Sequence, residues 1–205
     1  METEMRSYES LPEGYVEIFN VDLQKNKKIA LLVNGAAFLI AVIMVIAGGI
    51  VVPFTALFAT DGGFIAVPIR LLSIAVLSIA YIILHEAVHA AAMKLCGTKK
   101  VKFGYTGLYA FAGSDDYYPK LPYVFIALAP VVLWGVVFGV VSLIVPVEWF
   151  WVVYILQVSN ISGAAGDYYV TLKFIRMPRD IIVRDQGVGM TVYSEKQISE
   201  SGESI

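Results

Sequence analysis

Charged residues are scarce in this sequence: they make up 16% of its 205 residues, whereas hydrophobic residues make up 58%. Soluble domains contain about a quarter charged residues, so this balance favours an integral membrane protein. The 15 basic residues are nearly matched by 17 acidic ones, and the net charge of −2 gives no indication of a nucleic-acid partner.

Two features of secreted proteins are also missing. Cys96 is the only cysteine, so the chain can form no internal disulfide and its cysteine content indicates no compartment. The first 26 residues contain no short basic start followed by an apolar core, as a cleavable signal peptide would. We therefore expect the first apolar segment to remain in the mature protein.

Long apolar segments are abundant. A membrane-spanning helix needs about 20 residues, and four segments reach that length: 29–52, 69–95, 121–145 and 149–174. The stretch 53–68 is interrupted by proline and glycine and is interpreted as an outer loop or a partly re-entrant segment. The predicted fold is an all-α polytopic membrane protein, with about four transmembrane helices in a domain formed by residues 29–174.

The distribution of basic residues predicts the orientation. Lysines and arginines precede the first apolar segment, separate the second from the third, and follow the fourth. The positive-inside rule then predicts that 1–28, 95–120 and 175–205 lie in the cytoplasm. The polar end, residues 195–205, is expected to be disordered.

Two of these cytoplasmic stretches carry β patterns. Residues 101–112 alternate in polarity around a Thr106-Gly107 turn, which predicts a β-hairpin between the second and third helices. The hairpin is either a ribbon packed on the membrane surface or an edge strand that holds a substrate in extended form. A shorter β-like run, 181–193, follows the fourth segment.

The second apolar segment ends with an H-E-x-x-H motif, which contains both histidines of the chain. On a helix, His85 and His89 lie one turn apart on the same face, so their imidazoles can share a zinc ion. Glu86 lies close to that face, where it can act as a general base. Two helix-packing histidines beside an unrelated glutamate are the alternative, but ionisable groups inside a membrane are costly and usually functional.

A hydrolytic zinc site normally has three protein ligands, and no third histidine exists. The third ligand should therefore be a carboxylate, and Asp167 is the one inside an apolar segment. It lies about 9 Å from the basic end of that segment and His85 about 13 Å from the end of its own, which puts them at similar depth. The other carboxylates considered lie outside the membrane or in polar segments and are expected to be solvated: Asp61, Asp115, Asp116, Glu148, Asp180 and Asp185.

Small residues precede Asp167, from Ser162 to Gly166, and they allow close helix approach or a local break near the metal. Capping of a broken helix, or pairing with a lysine, is the alternative role for Asp167. Asn160 lies two turns before it on the same helix face. Its amide either orients the substrate and stabilises the oxyanion, or makes an interhelical hydrogen bond.

With these motifs, the chain resembles the intramembrane metalloproteases of the site-2 protease type. It is more closely similar to the small bacterial and archaeal membrane proteins called putative zincin peptidases, which implies a location in a prokaryotic cell membrane. The resemblance covers about residues 11–193. Besides the H-E-x-x-H helix and the hairpin, it rests on Leu128-Ala129-Pro130 opening the third span and on Gly166-Asp167 in the fourth.

The resemblance implies that His85, His89 and Asp167 bind zinc and that Glu86 is the catalytic base. In site-2 proteases the later motif contains an asparagine, two prolines and then Leu-Asp-Gly. Asn160 and Asp167 match its asparagine and aspartate in order, but the prolines are absent here and Tyr168 replaces the glycine.

These observations predict a membrane-embedded zinc metallopeptidase with one Zn²⁺ per chain. Its predicted partners are the lipid bilayer and a membrane-spanning or membrane-associated peptide substrate. A catalytically silent zinc-binding scaffold or regulator is the alternative, although such a site would need no general base at Glu86. A metal transporter would carry more polar residues across its spans than these helices do.

Overall fold

A computed structural model describes residues 6–22, 26–107, 110–187 and 189–195. Within these ranges the chain is mostly helical, with a four-stranded and a two-stranded antiparallel sheet. The predicted disorder of 196–205 and the tip of the predicted hairpin, 108–109, lie outside the described residues.

Among the described residues, three helices are long and apolar enough to span a membrane: α1 (Lys27–Val51), α2 (Ala66–Leu95) and α3 (Lys120–Ile144). They confirm the first three predicted apolar helices to within a few residues. Large apolar side chains cover their outward faces, as Leu31, Ile50 and Leu143 show with exposed fractions of 75%, 82% and 85%. Such faces are costly in water and suit contact with lipid tails, so these helices are consistent with a membrane protein.

The fourth predicted helix is divided into α4 (Phe150–Gly163) and α5 (Ala165–Ile175). The division falls at Ala164, within the run of small residues for which a local break was one expectation. Glycines at 163 and 166 weaken the helix on both sides of this point, because glycine loses more backbone freedom than other residues when it becomes helical. The single continuous helix predicted for 149–174 is therefore replaced by two shorter ones.

The connection between α1 and α2 contains a short 3₁₀ turn, Phe54–Phe58. The backbone of this connection is held by α2 and α4: Arg70 of α2 donates to the carbonyl of Leu57, and the indole N–H of Trp151 in α4 donates to the carbonyl of Val52. Leu57, Phe150 and Trp151 bury their side chains together at this end of the helices.

The sheets correct the all-α description. The N-terminal segment, for which no secondary structure was predicted, contains β1 (Tyr15–Asp22). It pairs with β6 (Gly189–Glu195), which continues through β5 (Ile182–Asp185) to β4 (Tyr117–Pro119) in one antiparallel sheet. β5 and β6 confirm the β-like run near the C-terminus. The predicted hairpin is also confirmed, by β2 (Lys102–Tyr105) paired with β3 (Ala110–Gly113).

The four-stranded sheet packs against one end of the helices. Buried apolar side chains from α2, α3, α5 and the sheet form one cluster there, including Met93, Cys96, Tyr118, Tyr123, Ile126, Phe174, Ile181, Val183 and Val192. The hairpin reaches the same region, because the backbone N–H of Ser114, just after β3, donates to the carbonyl of Asp185 in β5. The sheet and the hairpin therefore meet the helices beside the H-E-x-x-H turn.

Candidate metal centre

The two histidines face each other on consecutive turns of α2. Their ring centroids are 5.0 Å apart with the planes at 74°, and both line a cavity of about 210 Å³. Glu86 lines the same cavity. The helix is regular through the motif, so the i, i+4 spacing alone brings the two imidazoles together, as the sequence predicted.

Asp167 reaches the histidines from the first turn of α5. Its Oδ1 atom is 4.0 Å from Nε2 of His89, and the His85, His89 and Asp167 ligand atoms all lie within 4.8 Å of one another. Ala164 and Ala165 are almost fully buried at the break that precedes this turn. The small side chains let α5 begin close to its neighbours, which places the carboxylate opposite His89.

This group of atoms fits a zinc ion in type and in spacing. Two imidazole nitrogens and one carboxylate oxygen are the ligand set of many hydrolytic zinc sites, which keep a fourth position open. Tetrahedral zinc with ligands at about 2.0–2.1 Å separates them by about 3.3 Å. The present separations are larger by an amount that small side-chain rotations can remove.

Glu86 is fixed by the hairpin. The backbone N–H of Ala112 in β3 donates to Oε2 of Glu86 over 2.7 Å. This contact directs the carboxylate into the cavity shared with the histidines and Asp167. A carboxylate held beside a metal-binding group, but outside it, is suitably placed to transfer protons.

Each imidazole also makes one hydrogen bond through Nδ1. In His85 this atom is 2.8 Å from the hydroxyl of Tyr81, and in His89 it is 2.9 Å from the backbone carbonyl of Ile126. With Nδ1 engaged in both rings, Nε2 is the nitrogen that each ring can offer to a metal.

Asn160 lies behind this centre, away from the cavity. It is fully buried, accepts a hydrogen bond from the Tyr81 hydroxyl at Oδ1, and donates through Nδ2 to the carbonyl of Val131. Both ends of its amide are thus used within the protein. The geometry favours the interhelical hydrogen bond over direct contact with a substrate oxyanion.

Asp185 corrects another expectation, since it was expected to be solvated. It lines the cavity with the two histidines, where its carboxylate accepts hydrogen bonds from the Tyr123 hydroxyl and from the N–H of Gly187. Burial nevertheless raises the pKa of Asp185. The apolar run 181–183 indicates a buried strand, but no local pattern shows which end of that strand meets the metal centre.

Comparison with known proteins identifies a matching family and a curated relative. A family model described as "Putative zincin peptidase" matches residues 78–182, slightly more than half of the chain. An uncharacterized 24.7 kDa protein of Pyrococcus woesei is 32% identical over 127 residues, which are 57% of this chain and 53% of that protein. The chain thus matches about half the length of this relative. No solved structure matches significantly.

Proposed function

Because this chain belongs to the family described as putative zincin peptidases, we propose that it is a membrane-embedded zinc metallopeptidase. Its substrates would be membrane-spanning or membrane-associated polypeptides, cut near the cytoplasmic face. One Zn²⁺ per chain would be held by His85, His89 and Asp167. The observation that carries the proposal is the convergence of these three ligand atoms within 4.8 Å. Two of them, together with Glu86, lie on α2, a helix long and apolar enough to span a membrane, and the third comes from α5.

The chemistry divides between the ion and the chain. When bound, zinc supplies a Lewis acid that polarises the scissile carbonyl and activates water. Glu86 accepts a proton from the water molecule whose oxygen attacks the carbonyl carbon. It then delivers this proton to the amide nitrogen as the C–N bond breaks, leaving a carboxylic acid and an amine. The N–H of Ala112 keeps the Glu86 carboxylate oriented during both transfers.

Basic residues near the sheet end of the helices support the proposed cytoplasmic location. Lys94, Lys99, Lys102 and Lys120 lie at the end of α2, before and in the hairpin, and at the start of α3. In the proposed topology the hairpin and both termini face the cytoplasm, and α4 and α5 together complete a fourth crossing. His85 lies about 15 Å along α2 from Leu95, which supports a metal centre recessed below the membrane surface.

The cavities support a substrate that approaches from the membrane. A second cavity of about 320 Å³, lined by Ser78, Tyr81 and Ser159, shares His85 and Glu86 with the main one. Its lining comes from α2, α4 and the hairpin, and Ser78 and Tyr81 lie on the turns of α2 that precede His85. An intact helix hides its own peptide bonds, so the substrate would be locally unwound and extended where it meets the metal centre. The edge of β3, which turns the Ala112 N–H towards the site, suits an extended chain.

Zinc content measured by mass spectrometry on the purified protein tests the proposal. We expect one zinc per wild-type chain, loss of zinc in His85→Ala and Asp167→Ala, and retention in Glu86→Gln. Asp115→Ala is the matched control, because Asp115 is an exposed aspartate paired with Lys102 and should leave zinc unchanged. A wild type without zinc, or zinc content that is indifferent to Asp167, would contradict the proposed centre.

A further inference from the structure

We propose that Tyr81, Asn160 and Pro130 are positioning residues that hold both imidazoles in the Nδ1–H tautomer, so that each presents its Nε2 atom to the metal. This inference rests on the metal centre proposed above and adds a role for three residues that do not bind the ion. It follows from the direction of the hydrogen bonds behind the two histidines.

For His85, the direction of every hydrogen bond can be deduced from one backbone carbonyl. The carbonyl of Val131 can only accept, so the group of Asn160 that lies 3.0 Å from it must be the NH₂. The amide oxygen of Asn160 then faces Tyr81 and accepts the single hydroxyl proton of Tyr81 over 3.0 Å. The Tyr81 oxygen has no proton left for His85. At 2.8 Å it must therefore accept a proton from His85, which requires Nδ1–H.

For His89, the same result comes from a proline. Pro130 lies inside α3 and has no N–H, so the carbonyl four residues earlier, that of Ile126, loses its usual helical partner. His89 supplies the replacement, because its Nδ1 is 2.9 Å from that carbonyl. A carbonyl only accepts, so His89 must carry its proton on Nδ1. Its Nε2 then faces Asp167, as the 4.0 Å separation from Oδ1 shows.

The cost of these features supports a specific role. A proline in a helix interior is much less favourable than alanine, and at membrane depth a freed carbonyl must find another donor. Pro130 and Ile126 are both buried, and the donor for the freed carbonyl is the imidazole of His89. On the other ring, the buried Tyr81 and Asn160 have their hydrogen bonds directed to His85 and to α3.

The two arrangements use three helices. Tyr81 and the histidines are on α2, Pro130 and both carbonyls are on α3, and Asn160 is on α4. The rings are therefore oriented by groups that are fixed before a metal arrives. Both Nε2 atoms would then face the metal position from the start, so less ordering of side chains would oppose zinc binding.

The chain has only two histidines, so ¹⁵N-histidine labelling allows a direct test in the zinc-free protein. Magic-angle-spinning NMR of the protein in lipid would report the tautomer of each ring. We expect Nδ1–H for both rings in the wild type. Tyr81→Phe should release His85 into a mixture of tautomers and leave His89 unchanged. Pro130→Ala restores an N–H that competes for the Ile126 carbonyl, so it should release His89 and leave His85 unchanged.

Zinc affinity provides the second measurement. Loss of an outer partner of a zinc-binding histidine weakens zinc binding about 10–100-fold, and we expect this range for each variant. A merely structural Pro130 predicts a different result, because alanine would favour the helix and leave zinc affinity as it was. Pro68→Ala is the control: Pro68 lies in the first turn of α2, where a missing N–H costs no helical hydrogen bond.

The outcomes separate this inference from the proposed function. A wild type that binds zinc, with tautomers and affinity unchanged in both Tyr81→Phe and Pro130→Ala, would overturn the positioning roles alone. Nε2–H rings in the zinc-free wild type would also overturn them. A wild type that binds no zinc would overturn the metal centre and, with it, the positioning of its ligands.

Discussion

The two ends of α2 both carry polar side chains within an apolar helix, but they use them differently. Near its start, Arg70 is only 3% exposed, and its Nη1 atom donates to the carbonyls of Leu57 and Ala59 at 2.7 and 2.9 Å. Near the other end, His85 and His89 each engage one nitrogen with the protein beside a cavity of about 210 Å³.

This difference shows that burial of a polar group is not enough to identify a functional site. Arg70 donates its hydrogen bonds to the backbone of the connection between α1 and α2 and so holds this connection against α2. The histidines keep an Nε2 atom each for a ligand, and Asp167 brings a carboxylate to the same place. The histidine end therefore differs from the Arg70 end in having ligand atoms that face a cavity and are not used by the protein's own hydrogen bonds.

The largest effect that separates the two ends is expected from Glu86→Gln. The substitution keeps the shape of the side chain, and its amide oxygen can still accept from the N–H of Ala112, so fold and zinc content should be unchanged. Without a group that can take the proton from water, hydrolysis of a membrane-inserted fluorogenic peptide should slow by about 10²–10⁴-fold. Equal rates for Glu86→Gln and the wild type, with zinc bound to both, would remove Glu86 from the chemistry.

Arg70→Met is expected to have the opposite profile. Methionine fills similar space but leaves the carbonyls of Leu57 and Ala59 without their donor, which costs about 1–3 kcal/mol of unfolding free energy. Zinc affinity should stay at the wild-type value, because the substitution is four helical turns from His85. Reversible denaturation in mixed micelles, followed by tryptophan fluorescence, measures the first quantity. If Arg70→Met lost zinc without losing stability, the assignment of a structural role to Arg70 and a metal-binding role to the other end of α2 would be wrong.

The sequence predicted the H-E-x-x-H end of α2 better than its surroundings because local spacing determines the motif. Residues four apart on a helix must share a face, so His85 and His89 could be paired from the sequence alone. Asp167 required a further argument from the depth of two segments in the membrane. The structure brings its carboxylate to the histidines, near a helix break that the small residues 163–166 had made possible.

Features that depend on contacts between distant segments could not be predicted in the same way. β1 begins near the N-terminus and pairs with β6 at the opposite end of the chain, so no local pattern names its partner. Asp185 was expected to be solvated because it lies beyond the last apolar segment. Its actual place beside the cavity depends on how the sheet packs on α3 and α5, which the sequence does not show. Asn160 was recognised as polar within a helix, but the choice between substrate and interhelical contact required the positions of Tyr81 and Val131.

A solvent-exposed ion pair just beyond α2 is expected to have a smaller effect than the polar groups at either end of that helix. Lys99 and Glu9 form an ion pair of 2.6 Å, but their side chains are 81% and 72% exposed. The hydrogen bond and charge of Lys99 lower the pKa of Glu9. Any stabilisation from this shift is therefore present above the ordinary glutamate pKa and is lost as the pH falls through the lowered value.

Water and salt screen such an exposed pair, so its contribution at neutral pH should be far below that of Arg70. A double-mutant cycle with Glu9→Gln and Lys99→Met, measured by the unfolding midpoint at physiological and at low salt, tests this. We expect no resolvable coupling at physiological salt, and at low salt a small coupling that disappears under acidic conditions. A salt-independent coupling as large as the Arg70→Met effect would mean that β1 and its preceding segment are held by this pair. Polar contacts outside the helices would then contribute to stability as strongly as those buried between them.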